Sequence, residues 1–168
     1  MKYTTSEVTF REIPDEVTLC INISNCPIHC PDCHSKELWG DIGTDLTHTE
    51  LKKLIEANPG ITCVCLMGGD ADYLTIKTML SYMCILRYNK NIKLALYSGR
   101  NSLEELHELY GDDLYIFDYV KVGPYVKELG GLDSRTTNQI LYKIDQDFVG
   151  NVHDITSKFW RNGNKPND

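Results

Sequence analysis

Val17-Thr-Leu-Cys-Ile-Asn-Ile23 runs directly into Ser24-Asn-Cys-Pro-Ile-His-Cys-Pro-Asp-Cys33. The first stretch is β-branched and mostly apolar, the composition of a strand covered on both faces, so the cysteine-rich loop begins where a strand ends. Two further runs share this form: Ile61-Thr-Cys-Val-Cys-Leu-Met67 stops at Gly68-Gly69-Asp70, and Ile92-Lys-Leu-Ala-Leu-Tyr97 stops at Ser98-Gly99. Tyr119-Val-Lys-Val122 is a fourth strand. Helical signals lie between them. Thr47-His-Thr-Glu50 has capping-box spacing, with Leu51, Leu54 and Ile55 on one face until Asn58-Pro59-Gly60 ends the helix. Tyr73 to Tyr88 is too long and apolar for a strand, and Ser102-Leu-Glu-Glu105 caps a third helix through about Tyr110. This alternation predicts an α/β fold of βαβ units around a parallel sheet, with ligands gathered outside the carboxyl ends of its strands. Cys26 to Cys33, Gly68 to Asp70, and Ser98-Gly99 all lie at such ends.

The chain of 168 residues, 42% hydrophobic and 24% charged, is that of a soluble globular protein with core enough to need no metal for stability. One domain over residues 1–160 is expected, with a flexible tail, Arg161 to Asp168, suggested by its composition. A net charge of −7 disfavours nucleic acid and anionic membrane surfaces as partners. The N-terminus lacks the apolar stretch of a secretory signal, which places the protein in the cytoplasm.

Seven cysteines make an odd number for a disulfide framework, and three fall within eight residues. Cys26, Cys30 and Cys33 follow the spacing C-x3-C-x2-C, which lets one tight loop aim three thiolates at a common centre. No fourth cysteine follows at similar spacing, so an iron–sulfur cubane held there keeps one iron open to a ligand. Zinc is the rival, with His29 or His34 completing a Cys3His set, although structural zinc sites usually draw ligands from two separated knuckles. Cys20, Cys63, Cys65 and Cys84 lie within apolar strands or a helix and read as packing residues. Gly68-Gly69-Asp70 removes steric bulk beside a carboxylate that attracts cations, and Ser98 offers a hydroxyl at the next strand end.

The spacing and position of this loop resemble the radical S-adenosylmethionine superfamily. Within it, the trailing Cys33-His34-Ser-Lys-Glu-Leu-Trp39 and the stretches Asp118-Tyr-Val-Lys-Val-Gly-Pro-Tyr125, Lys127-Glu-Leu-Gly-Gly-Leu132 and Arg135-Thr-Thr-Asn-Gln139 resemble the activases of anaerobic ribonucleoside-triphosphate reductase. The resemblance implies a partial, open parallel β/α barrel. It implies a [4Fe–4S] cluster on Cys26, Cys30 and Cys33 whose open iron chelates S-adenosyl-L-methionine. Reductive cleavage then yields methionine and a 5′-deoxyadenosyl radical that takes hydrogen from a glycine of the reductase.

Gly68, Gly69 and Asp70 match the superfamily's Gly-Gly-Glu motif around the methionine ammonium. Asp32, where many relatives carry an aromatic residue near the adenine, is expected to contact the ligand through its backbone. His34 shapes the cluster surroundings or borders the adenosyl group, and Ser98 binds the ligand by hydroxyl or amide. The partners implied are the reductase, docking on the Asp118 to Gln139 region, and an external electron donor such as a flavodoxin or ferredoxin. The alternatives are the same chemistry on another glycyl-radical enzyme or a small molecule, and a zinc-stabilised interaction module.

Overall fold

Eight strands form one mixed sheet in this computed structural model, which describes residues 1–146 and 151–160. The strands are β1 (Lys2–Thr9), β2 (Thr18–Ile23), β3 (Thr44–Asp45), β4 (Cys63–Gly68), β5 (Lys93–Tyr97), β6 (Tyr119–Val122), β7 (Ile140–Ile144) and β8 (Val152–Asp154). The helices are α1 (His48–Ala57), α2 (Tyr73–Lys90) and α3 (Leu103–Tyr110). Strand order is β3-β1-β2-β4-β5-β6-β7-β8. The four strands expected from the sequence, β2, β4, β5 and β6, are neighbours and run parallel. The proposed tail from Arg161 to Asp168 lies outside the described residues.

The open parallel β/α barrel is not what forms. β1 and β3 pair antiparallel on one side, β7 and β8 on the other, and among the described residues only three α-helices accompany the eight strands. The physical reason lies in the connections. A parallel neighbour needs a crossover, usually helical, whereas the segments joining β1 to β2 and β6 to β7 contain no helix, and their strands return antiparallel.

Capping follows the sequence closely. The Thr47 hydroxyl accepts from the Glu50 amide at 3.2 Å, the Ser102 hydroxyl from the Glu105 amide at 3.3 Å. Asp72 caps α2 by accepting from the amides of Leu74 and Thr75, which leaves Asp70 free of that duty. α2 ends at Asn91, whose left-handed φ of 53° lets its amide reach the Leu86 carbonyl.

Alternation along the strands divides the core. Leu19, Ile21, Val64, Leu66, Leu94, Leu96 and Val120 face the helices, together with Ile76, Met83 and Leu106. Cys20, Cys63, Cys65, Ala95 and Tyr119 face the other way, against Ile13, Leu141 and the partly buried Phe159. Among the described residues no α-helix packs on that second face; loop residues such as Ile13 and the 3-10 turn Thr156–Phe159 cover it. Cys20, Cys63 and Cys65 are buried as expected, and Cys84 is half-buried. Burial pushes the Cys63 and Cys65 thiols well above their ordinary pKa, leaving them protonated and unreactive. No helix among the described residues is long and apolar enough to cross a membrane.

Candidate functional site

The cysteine loop is fixed at its start by the short 3-10 turn Lys36–Trp39 that follows it. The Asn25 amide donates to the Gly40 carbonyl at 2.9 Å and the Cys26 amide to the Leu38 carbonyl at 3.0 Å. A turn from the Cys33 amide to the Cys30 carbonyl, 3.0 Å, closes its far end. Asn25 (φ 61°) and His29 (φ 49°) adopt left-handed backbone, which folds eight residues into a compact hoop. His29 stacks on Trp39 with centroids 4.6 Å apart, and His34 tilts against Tyr125 at 4.5 Å. Both candidate zinc imidazoles are thus packed against aromatic rings.

Parallel pairing of β2 with β4 sets Ile23 beside Gly68, which carries the start of the loop onto the Gly68-Gly69 turn. A side chain is not tolerated there. A Cβ on Gly69 would lie 2.6 Å from the Ile23 carbonyl oxygen and 3.3 Å from the Cys26 Cβ. Gly69→Ala should therefore cost about 1–3 kcal/mol, because rigid backbone must move, and lower Tm by roughly 2–12 °C in a scan of the folded protein. Gly99 makes the same allowance on the other side: a Cβ there would meet Ile28 of the loop at 2.9 Å.

These segments open onto one cavity of about 1360 Å³ on the helix-free face of the sheet, at the carboxyl ends of the parallel strands. Cys26, Cys30 and Cys33 line it, half-buried and unbridged. His34, Gly68, Gly69, Asp70 and Ser98 line it as well. Asp32 does not; it is exposed on the outside of the loop.

Asp70 is buried, and both its oxygens are engaged. One accepts the Ser98 hydroxyl, the other lies 3.4 Å from Nε of Arg100. Arg100 also reaches Glu105 at 3.1 Å, and its carbonyl accepts from the Gly123 amide at 2.6 Å. The carboxylate is held at the cavity wall by the Ser98 hydroxyl and by charge attraction to Arg100, whose Nε makes no hydrogen bond.

Sequence reasoning missed Arg100 and Lys121. Lys121 shares the face of Tyr119 by strand alternation, so its side chain enters the cavity while Val120 and Val122 pack toward the helices. A lysine inside a wholly buried four-residue strand was the available signal. Its ammonium donates to the Gly123 carbonyl at 2.6 Å and more weakly to the Ser98 carbonyl at 3.4 Å.

Burial pulls Lys121 down to about 8 from 10.5, against the attraction of Cys30 and Asp70. The folded chain therefore releases this proton near pH 8, while the unfolded chain holds it to about 10.5, so the folding penalty is full below pH 8 and fades as pH rises between those values. In the cluster-free protein, Lys121→Met should raise stability below pH 8 by on the order of 3 kcal/mol. That gain should shrink toward pH 10.5 in denaturant titrations. A gain constant across this window would assign the effect to packing instead.

The donor set suits an iron–sulfur group. Three unbridged thiols on one hoop face the cavity, and the Ser35 amide donates to the Cys33 sulfur at 3.4 Å, the kind of contact that tunes cluster potentials. Among the described residues no three His, Cys, Asp or Glu side chains stand close enough to share a single metal ion. A cubane does not ask for that, since each thiolate binds its own iron. A family profile described as a 4Fe-4S single cluster domain matches residues 16–144. The chain belongs to this family. The match runs from Glu16, before β2, to the end of β7, and so includes the hoop and every strand that borders the cavity. No curated protein and no solved structure matches this single-cluster protein significantly.

Proposed function

We propose that this single-cluster protein is a radical S-adenosylmethionine activase that installs a glycyl radical on anaerobic ribonucleoside-triphosphate reductase. The observation that carries this reading is the cavity's thiol count. Cys26, Cys30 and Cys33 line it, and the other four cysteines lie in the sheet or in α2. A four-iron cluster on three thiolates keeps one iron for a ligand from outside the chain.

When bound, the cluster would pass one electron, received from a flavodoxin or ferredoxin, to the sulfonium of S-adenosyl-L-methionine, giving methionine and a 5′-deoxyadenosyl radical. The protein's own residues hold the reactants. Gly68 and Gly69 admit the ligand close to the backbone. Asp70, bonded to Ser98 and paired with Arg100, fixes the cavity wall beside the Gly68-Gly69 turn. His34, resting on Tyr125, borders the same space. At about 1360 Å³ the cavity exceeds the ~300–1,000 Å³ of a typical small-molecule site, so a cubane and a nucleoside-sized ligand can sit together. The segment from Asp118 to Gln139 contributes Tyr125, Arg135 and Gln139 to the wall, where a glycine loop of the reductase would enter. In this reading residues 1–160 act as one domain in the cytoplasm, where thiols stay reduced.

Anaerobic incubation of reconstituted protein with reductant, S-adenosyl-L-methionine and the reductase should produce a glycyl-radical doublet in electron paramagnetic resonance. S-adenosylmethionine cleavage without any doublet on the reductase would assign the activity to another substrate.

A further inference from the structure

Lys121 is a buried cation without an anion. Its side chain lines the cavity, the residue is 8% exposed, and its bonds run to two neutral carbonyls, those of Gly123 and Ser98. The carboxylate on the same cavity wall, Asp70, accepts the Ser98 hydroxyl with one oxygen and pairs with Arg100 through the other. No ion pair of Lys121 exists among the described residues. A charge withdrawn from water in this way is unfavourable unless something compensates it. Cys26, Cys30 and Cys33 line the same cavity as Lys121, so the remaining source of compensation is the cysteine hoop.

We propose that Lys121 is the fixed counter-charge of the anionic centre held by Cys26, Cys30 and Cys33, and that its ammonium raises that centre's reduction potential. This rests on the cluster reading above. Three thiolates around a cubane core give a negative centre that becomes more negative on gaining an electron. A nearby fixed cation stabilises the reduced form more than the oxidised form. The site spends a buried lysine to make an electron easier to accept. The residue acts through the cluster, as a positioning charge rather than a catalytic group.

The test is a spectroelectrochemical titration of the reconstituted protein, comparing wild type with K121M, K121Q and K121R. Methionine and glutamine remove the charge with differing polarity, so a folding fault in one leaves the other informative, and arginine retains the charge. The expected result is a fall of at least tenfold in the reduced-to-oxidised ratio of K121M and K121Q at a fixed applied potential, equivalent to 59 mV for one electron. K121R should stay near wild type. Neutral variants with a full complement of iron and sulfide but an unmoved potential would overturn the proposal. So would an unmoved potential with a raised KM for S-adenosylmethionine, which would assign the ammonium to the ligand's carboxylate. If wild type itself binds no cluster under reconstitution, the cluster reading fails and this proposal with it, an outcome told apart by iron and sulfide analysis before any titration.

Discussion

Cys30→Ala protein, reconstituted anaerobically with iron and sulfide, is expected to retain almost no cluster and to lose the broad visible absorbance of a cubane. Cys30 lies between Cys26 and Cys33 on the hoop, and two thiolates cannot hold three irons. The hoop itself should survive. Its closing bond runs from the Cys33 amide to the Cys30 carbonyl, and its entry is fixed by backbone bonds to Gly40 and Leu38, none of which involves the missing sulfur. Circular dichroism of the variant should therefore match wild type. A variant that binds iron and sulfide in full would show that the ligands lie elsewhere.

The second large effect concerns stability. Asp118 lies just before β6 and ties four elements together: its Oδ2 accepts the Leu94 amide at 2.8 Å, its Oδ1 lies 3.1 Å from a guanidinium nitrogen of Arg87 on α2, and its carbonyl accepts the Ile144 amide at 2.8 Å. The Arg87 side chain is 8% exposed. Burial raises the Asp118 pKa, while the Leu94 amide and Arg87 favour its charged form. Asp118→Ala would strand the Arg87 charge in the interior, which typically costs about 3–5 kcal/mol. Thermal unfolding should fall by roughly 6–20 °C. Asp118→Asn, which keeps an acceptor for Leu94, should lose less. Equal losses in the two variants would assign the whole effect to the ion pair, and a loss confined to Asp118→Ala would mean that the pair contributes little. The consequence reaches the cavity, because Asp118 anchors the strand that delivers Lys121 three residues later.

The parallel core was legible because its signals are local. Apolar runs at Val17, Ile61, Ile92 and Tyr119 became β2, β4, β5 and β6, and Thr47 and Ser102 cap the helices their sequences announce. β1 was not legible. Lys2–Thr9 is polar and half-exposed, and it becomes a strand by pairing with β2 and covering its edge, information held in the partner rather than in the segment. β7 and β8 add a second antiparallel flank, and together these turned an expected open barrel into a mixed sheet.

The site divided in the same way. Cysteine spacing and the Gly-Gly-Asp turn are written in short motifs, and the parallel register brings them together. Arg100 and Lys121 take their place in the site from partners far along the chain, Asp70 for Arg100 and Ser98 for Lys121, which no local motif announces. Asp32, adjacent to a cavity cysteine in sequence, is exposed and does not line the cavity.

Product analysis after anaerobic reduction decides whether this site generates radicals. Reconstituted protein given dithionite and S-adenosyl-L-methionine should release 5′-deoxyadenosine and methionine in equal amounts, and the Cys30→Ala variant should release neither. Wild-type protein carrying a full four-iron, four-sulfide cluster that leaves S-adenosyl-L-methionine intact would contradict the reading, and would leave a single-cluster protein that carries electrons without spending them on a sulfonium.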